Sequence, residues 1–405
     1  MTDDFTDWLR ANLPAGWMEA IDAGDEDGFR AARASLDDGA FLRAIGEAGW
    51  AMPQWNVEHG GRGVTDAADL RAIDELKTRY RIPRSFNILG FGLAAPTILQ
   101  WGTDEQQRYF LPRMAAGDWW CQLFSEPTNG SDVAGLATRA VRDGDEWIVT
   151  GQKVWTSGAQ IAKWGMLIAR TNPDQPKHKG ITYFVCDMHS PGVEVRPLRQ
   201  ITGDAEFNEV FLTDVRIPDA WRIGPEGEGW AVAQTTLMNE RVALSGAFGP
   251  GGGAAARQRS ASASNPITEL LSLARERGDA VLADRAARLL SQGRSMTYTM
   301  QRAVGARRAG APPGPEGSIT KLFGTEYNQR LQNTIIDAAG MHGVAWLPGD
   351  DAAALRARAF LRSRGNTIEG GTSEIQRNIL GDRVLGLPRE PDPSREPPWK
   401  DVPRS

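Results

Sequence analysis

Three short segments concentrate the residue types that hold polar, planar or anionic ligands. Residues 121–132, Cys-Gln-Leu-Phe-Ser-Glu-Pro-Thr-Asn-Gly-Ser-Asp, run from an apolar stretch into a turn whose amides and hydroxyls can grip a ligand's polar edges, with an ordinary turn as an equal reading. Residues 151–158, Gly-Gln-Lys-Val-Trp-Thr-Ser-Gly, set a large aromatic plane beside two hydroxyls, a pair suited to clamping a flat heterocycle; a buried core Trp155 is the plainer alternative. Residues 368–377, Ile-Glu-Gly-Gly-Thr-Ser-Glu-Ile-Gln-Arg, place two glycines and two hydroxyls before a helical run. Thr372 there reads as a helix cap, and the free N–H groups behind it as a place for an anion. Gly249, Gly251 and Ala254 match G-x-G-x-x-A only formally. The preceding segment is helical, Pro250 interrupts the match and no β-α-β alternation surrounds it, so the segment reads as a loop. Four histidines (His59, His178, His189, His342) lack ligand spacing, and Cys121 and Cys186 form no CxxC pair, so no metal site is expected.

The elements that must position these segments follow from composition and period. With 405 residues, 41% hydrophobic and 24% charged, the chain suits a folded protein of two or three domains. A net charge of −5 argues against nucleic-acid binding. No apolar run reaches the roughly 18 residues of a membrane span, and the acidic start lacks a secretory pattern, so membrane insertion is not expected and a cytoplasmic location is. Up to residue 118 the patterns are helical: Leu70, Ile73, Leu76 and Tyr80 recur at spacings of three and four, Thr103 with Gln106 reads as a capping box, and residues 59–63 (HGGRG) form a loop. From 119 the period shortens. Strand-like runs at 119–124, 146–150, 166–169, 181–187, 193–195 and 209–212 are punctuated by DGD, GQK, NPDQP and SPG. Helical spacing then returns at Trp230, Leu237, Val242 and Leu244 and at Tyr327, Leu331 and Ile335, broken at 249–266 and 310–317. The expected fold class is a multidomain α+β protein: an N-terminal helical domain (1–118), a central antiparallel β domain (119–228), a C-terminal helical bundle (229–386) and an extended tail (387–405).

Ser-Glu-Pro-x-x-Gly-Ser-Asp at 125–132, Trp-Thr-Ser at 155–157 and Gly-Gly-Thr-Ser-Glu-Ile-Gln-Arg at 370–377, in this order and layout, resemble the acyl-CoA dehydrogenase family over nearly the whole chain. The resemblance implies FAD as cofactor, an acyl-CoA thioester as substrate, and an electron-transferring flavoprotein as acceptor. It also implies a carboxylate that removes the substrate's α-proton while hydride leaves the β-carbon for the flavin, with hydrogen bonds on the thioester oxygen. Carried onto this chain, it assigns Gln122, Leu123, Ser125, Gly130 and Ser131, with Trp155, Thr156 and Ser157, to the flavin ring. It assigns Thr372 and Glu374 to the adenosine and phosphate end, and Ser131 and Arg241 to the substrate.

The chain departs from the family's pattern in two places. Where many members carry the base in Ile-Tyr-Glu-Gly-Thr, this sequence has Gly370, with Glu369 at the Tyr position. A minority place the Glu before an Arg on a helix of the C-terminal domain, and Asn239-Glu240-Arg241 resembles that arrangement, which implies Glu240 as base. Glu369 is the runner-up, disfavoured because a shift of one residue in an extended segment turns a side chain away. The plain alternative for Glu240 is a solvent-facing carboxylate paired along its helix. The backbone N–H of Gly370 still serves the thioester oxygen, and the missing side chain leaves room for a bulky acyl group, branched, alicyclic or steroid-derived. The second departure concerns the FAD pyrophosphate. The family's Arg-x-x-Phe-Gly run is not found, and its Gln-x-x-Gly-Gly run begins here with Asp337, the wrong sign for a phosphate contact. A tetramer is expected, a homotetramer or a heterotetramer with a related subunit, and the missing contacts point to the related subunit as their source. An oxidase or flavin monooxygenase, and a non-catalytic assembly subunit, are the competing readings.

Overall fold

The computed structural model describes residues 1–83, 87–245, 266–309, 316–345 and 349–402, with main chain alone at 241–245, 307, 308 and 316. Aspartates start several of the first helices, each offering a short acceptor to otherwise unpaired N–H groups. Helices α1 (Thr2–Asn12), α2 (Trp17–Ala23), α3 (Glu26–Ala34), α4 (Asp38–Glu47) and α5 (Ala67–Arg79) include three capped by Asp25, Asp37 and Asp66. They bury Phe5, Leu9, Trp17, Phe41, Ile45 and Ile73 together. A widened π-helical turn, Leu89–Ala94, runs directly into α6 (Ala95–Trp101). Thr103 and Gln106 make both bonds of the expected capping box at the start of α7 (Asp104–Ala115).

The central region holds β1 (Trp120–Leu123), β2 (Arg139–Asp143), β3 (Glu146–Ser157), β4 (Trp164–Arg170), β5 (Ile181–Asp187), β6 (Val193–Leu198), β7 (Phe207–Pro218) and β8 (Arg222–Ile223). They form one sheet in the order β6-β7-β3-β2-β4-β5-β8, with β1 beside β4. The sheet is mostly antiparallel, as expected, but β1 runs parallel to β4 from Trp120 opposite Trp164, and β2 meets β4 in parallel at Arg139. A parallel pair needs a crossover, and the β2/β3 hairpin supplies it. The expectation of a turn at GQK is corrected: residues 151–153 lie inside β3 and pair with β7. Gly151 is there because a Cβ would come within 2.3 Å of the Thr138 hydroxyl, at a register shift after Val149, and Lys153 points inward to a buried partner.

The last region comprises α8 (Gly229–Ser245), α9 (Pro266–Arg277), α10 (Ala280–Arg308), α11 (Glu316–Ala339), the short α12 (Met341–Val344), α13 (Asp351–Asn366) and α14 (Ser373–Arg383). Leu270, Ala274, Leu282, Leu289 and Tyr327 form its core, flanked by Leu331 and Ile335 on the i+4 stripe. Helix α8 joins the three regions: Val232 and Ala233 share one apolar cluster with Phe124, Met166 and Tyr183 of the sheet region and with Leu93 and Ile98 of the first helices. The formal glycine match at 249–254 lies outside the described residues. Among the described residues no helix is long and apolar enough to cross a membrane.

Candidate active site

Helix α8 is fixed by buried hydroxyls before it reaches the site. Thr236, fully buried, lies with its Oγ1 2.9 Å from that of Thr97 on α6 and 3.3 Å from the Tyr183 hydroxyl on β5. The Trp101 indole donates to Thr235 Oγ1 at 2.9 Å. Glu240 follows Thr236 by four residues, one turn along the same face. It is half-buried, and Gln122 of β1 donates to its Oε2 at 3.3 Å. Two residues assigned from separate motifs therefore meet across a domain junction, and a carboxylate facing only solvent does not describe Glu240. The Arg241 side chain lies outside the described residues.

The neighbouring carboxylate is committed elsewhere. Arg362 on α13 donates to both oxygens of Glu369, at 3.1 and 2.7 Å, and Asn366 adds a third bond at 2.7 Å. Gly370 and Gly371 follow with φ of +62° and +89°. A side chain at these positions meets the left-handed penalty of about 1–2 kcal/mol, so the backbone itself favours glycine where the commoner base would sit. Lys321 of α11, 3% exposed, donates to the Asn366 carbonyl at 3.0 Å, at the end of the helix that leads to these glycines. Burial pushes its pKa down, while the carboxylates of Glu369, Glu240 and Glu374 oppose that shift. Sequence reasoning missed this cation.

At the start of α14, Thr372 accepts from the Ile375 N–H at 3.3 Å, so the capping reading holds. A cavity of about 490 Å³ opens beside it, lined in part by Gln329, Arg330, Glu374 and Arg377. Arg377 is paired to Glu326 and Arg330 lies 3.9 Å from the same carboxylate. The Glu374 carboxyl is held below the usual range by its own backbone N–H and then by the Thr372 hydroxyl. Ser373 Oγ and Gln376 Oε1 are buried without a partner among the described residues, although Gln376 Nε2 donates to the Gly370 carbonyl at 3.2 Å.

The remaining two segments are stitched to each other. Glu126 and Asn129 exchange backbone bonds at 3.1 and 3.0 Å, closing the expected turn. The buried Glu126 carboxylate accepts from the N–H groups of Ala137 (2.6 Å) and Thr138 (2.9 Å) and from Lys153 Nζ (2.8 Å). Lys153, 0% exposed, also donates to the Phe124 carbonyl at 3.2 Å, and the Val154 N–H reaches the Ser125 carbonyl at 2.9 Å. Burial raises the Glu126 pKa, but the Lys153 charge and the three hydrogen bonds outweigh it and leave it below the usual carboxylate range. Burial lowers that of Lys153, with Glu126 opposing the shift. Leu123 has its side chain in the core, so only its main chain is available to a ligand, whereas Gly130 and Ser131 are exposed.

Trp155 is not a core residue. It is 61% exposed, its φ is +60°, and it touches Phe207 edge-on with centroids 6.0 Å apart. A large aromatic in a left-handed conformation is strained by about 1–3 kcal/mol, a cost that collects at functional sites. Next to it Thr156 is fully buried, and its Oγ1 has no partner among the described residues. Asp337, expected to be a misplaced charge near a pyrophosphate, is paired with Arg285 at 3.0 Å.

The chain matches three family descriptions in succession: acyl-CoA dehydrogenase, N-terminal domain, over residues 19–118; middle domain, over 121–215; and C-terminal domain, over 227–385. Acyl-CoA dehydrogenase FadE34 of Mycobacterium tuberculosis is 41% identical over 85% of this chain, which spans only 46% of that protein's length. Acyl-CoA dehydrogenase IpdE1 of the same organism is 36% identical over 95% of this chain and 96% of its own. Among solved structures, a steroid ACAD titled Tcur3481-Tcur3483 is 27% identical with a TM-score of 0.70, covering 87% of this chain and 89% of its own. The ChsE4-ChsE5 complex from Mycobacterium tuberculosis is 28% identical with a TM-score of 0.64, covering 96% and 98%.

Proposed function

The chain belongs to the acyl-CoA dehydrogenase family, and from that premise we propose that it catalyses the α,β-dehydrogenation of a bulky acyl-CoA thioester with Glu240 as the base. The observation that carries this reading is the approach of Glu240 to Gln122 at the junction of α8 and β1, while Glu369 is occupied by Arg362 and position 370 is held to glycine by its backbone. A base must be partly desolvated and within reach of the substrate's α-carbon, and a half-buried carboxylate facing the cofactor strand meets the first condition. Glu240 takes the α-proton; the Gly370 N–H and further donors hold the thioester oxygen as negative charge develops on it.

The residues fit FAD. An exposed, strained Trp155 beside a partnerless buried Thr156 hydroxyl offers a ring platform, and the α14 start with the unpaired Ser373 and Gln376 atoms offers polar contacts for the other end. Gln122, Ser125, Gly130, Ser131 and Ser157 complete the ring side, and Thr372 and Glu374 the far side. When bound, FAD supplies the acceptor for the hydride that leaves the β-carbon. Ser131 and Arg241 are the substrate contacts on this chain, and an electron-transferring flavoprotein takes the electrons onward.

A relative titled steroid ACAD supports a steroid-derived acyl group, consistent with the space left at Gly370. Two solved relatives carry paired names and FadE34 is about twice as long as this chain, which supports assembly with a related subunit in a heterotetramer. The test is substrate-induced bleaching of the flavin in the holoenzyme: Glu240→Gln abolishes it and Glu369→Gln leaves it within a few-fold. Full bleaching by Glu240→Gln refutes the assignment.

A further inference from the structure

Residues 388–402 follow the last residue matched to the family, 385, and they do not trail into solvent. Their main chain docks on the β4–β5 connection, where the Trp399 N–H donates to the Gln175 carbonyl at 2.9 Å and the Lys400 N–H to that of Pro173 at 3.1 Å. Two anchors then reach the turn that carries Ser131. Lys177, 7% exposed, holds Asp132 of the turn at 3.2 Å and, from the arm, Asp392 at 3.5 Å and the Ser394 hydroxyl at 3.0 Å. The Trp399 indole donates to the Gly135 carbonyl at 3.0 Å. Its ring lies 4.7 Å from the guanidinium of buried Arg170, which itself donates to the carbonyls of Ala134, Leu136 and Lys177.

We propose that this C-terminal arm is a strap that orders the 131–136 turn, with Lys177 and Trp399 as positioning residues for acyl-CoA binding. One ammonium shared between Asp132 and the arm couples the arm's position to the residue after Ser131. The indole meets a carbonyl that lies between the two carbonyls Arg170 holds, so the turn is gripped from two sides. Buried Arg170 under the Trp399 ring is desolvated, whereas the carboxylates that meet Lys177 are largely exposed, which makes Trp399 the stronger anchor. The substrate part of the proposal rests on Ser131 being an acyl-CoA contact.

The test compares the holoenzyme with Trp399→Ala and with a chain ending at Leu387. Hydrogen exchange at the amides of 133–136, measured without substrate, is expected to quicken at least about tenfold, because local opening no longer breaks the arm's contacts. KM for acyl-CoA rises about tenfold with kcat within about twofold, the signature of lost binding rather than lost chemistry. Lys177→Arg retains near-normal exchange and KM, while Lys177→Met behaves like the truncation. Unchanged exchange in both Trp399→Ala and the truncated chain overturns the strap, whatever the enzyme's activity. Faster exchange with an unchanged KM overturns its role in substrate binding, and a protein that bleaches with no acyl-CoA yet shows the exchange effect overturns the proposed function instead.

Discussion

Replacing Lys153 with Met tests the junction on which the proposed ring platform rests. The ammonium is fully buried, 2.8 Å from Glu126 and 3.2 Å from the Phe124 carbonyl. Removing one member of such a pair costs about 3–5 kcal/mol, chiefly by leaving the other charge buried and uncompensated. Two facts place Lys153→Met at the lower end. Glu126 keeps the N–H groups of Ala137 and Thr138, and methionine refills most of the lysine stem. Glu126→Gln leaves the buried ammonium without its counter-charge and turns an amide NH2 towards a backbone N–H that the carboxylate accepted, so it should cost at least as much. The double variant removes both charges, and its loss should fall short of the summed single losses by about 1–3 kcal/mol. Urea unfolding followed by tryptophan fluorescence reads all three. Because the Glu126 pKa is lowered on folding from an ordinary value of 4.5, its contribution is complete above that value and disappears as pH falls through the folded-state value. The gap between wild type and Lys153→Met should therefore be full at neutral pH and narrow as pH falls and Glu126 is protonated, the wild-type share being lost below 4.5. A cost under about 1 kcal/mol for Lys153→Met, or simple additivity in the cycle, would refute the reasoning.

Two further perturbations address Glu240 and its surroundings. Thr236→Val removes the hydroxyl shared with Thr97 and Tyr183, so it should destabilise by about 1–3 kcal/mol and lower the single-turnover rate by displacing α8; unchanged values for both count against this role. Gly370→Ala should cost about 1–2 kcal/mol in denaturant titration because φ is +62°, and Gly370→Glu placed on Glu240→Gln should not restore flavin bleaching.

Much of the scaffold is legible in the sequence because its determinants are local. Thr103 with Gln106, the i+4 stripe of Tyr327, Leu331 and Ile335, and the strand at 181–187 each announce themselves within a few residues. GQK misleads because Gly usually marks a turn and two polar residues after it look solvated, whereas here Gly151 makes room for Thr138 and Lys153 turns inward to Glu126, a partner set by tertiary structure. Lys321 is hidden for a related reason. With Ser318 and Thr325 it forms a polar stripe that reads as a solvent face, yet all three are buried. Trp155 shows the opposite case, since its residue type suggests a core, whereas the structure leaves it exposed, the observation on which its proposed platform role rests. The left-handed backbone at Gly370 explains in physical terms a substitution that the sequence shows only as a departure. The C-terminal arm carries no periodic signal, and its order comes from Trp399 and Lys177 meeting distant partners.

Exchange of the substrate's α-proton into deuterated solvent measures the base directly, without requiring hydride transfer. With the holoenzyme and a steroid-derived acyl-CoA, wild type and Glu369→Gln should exchange the proton at comparable rates, and Glu240→Gln should reduce exchange at least about a hundredfold. Wild-type exchange by Glu240→Gln, with loss in Glu369→Gln, would contradict the account.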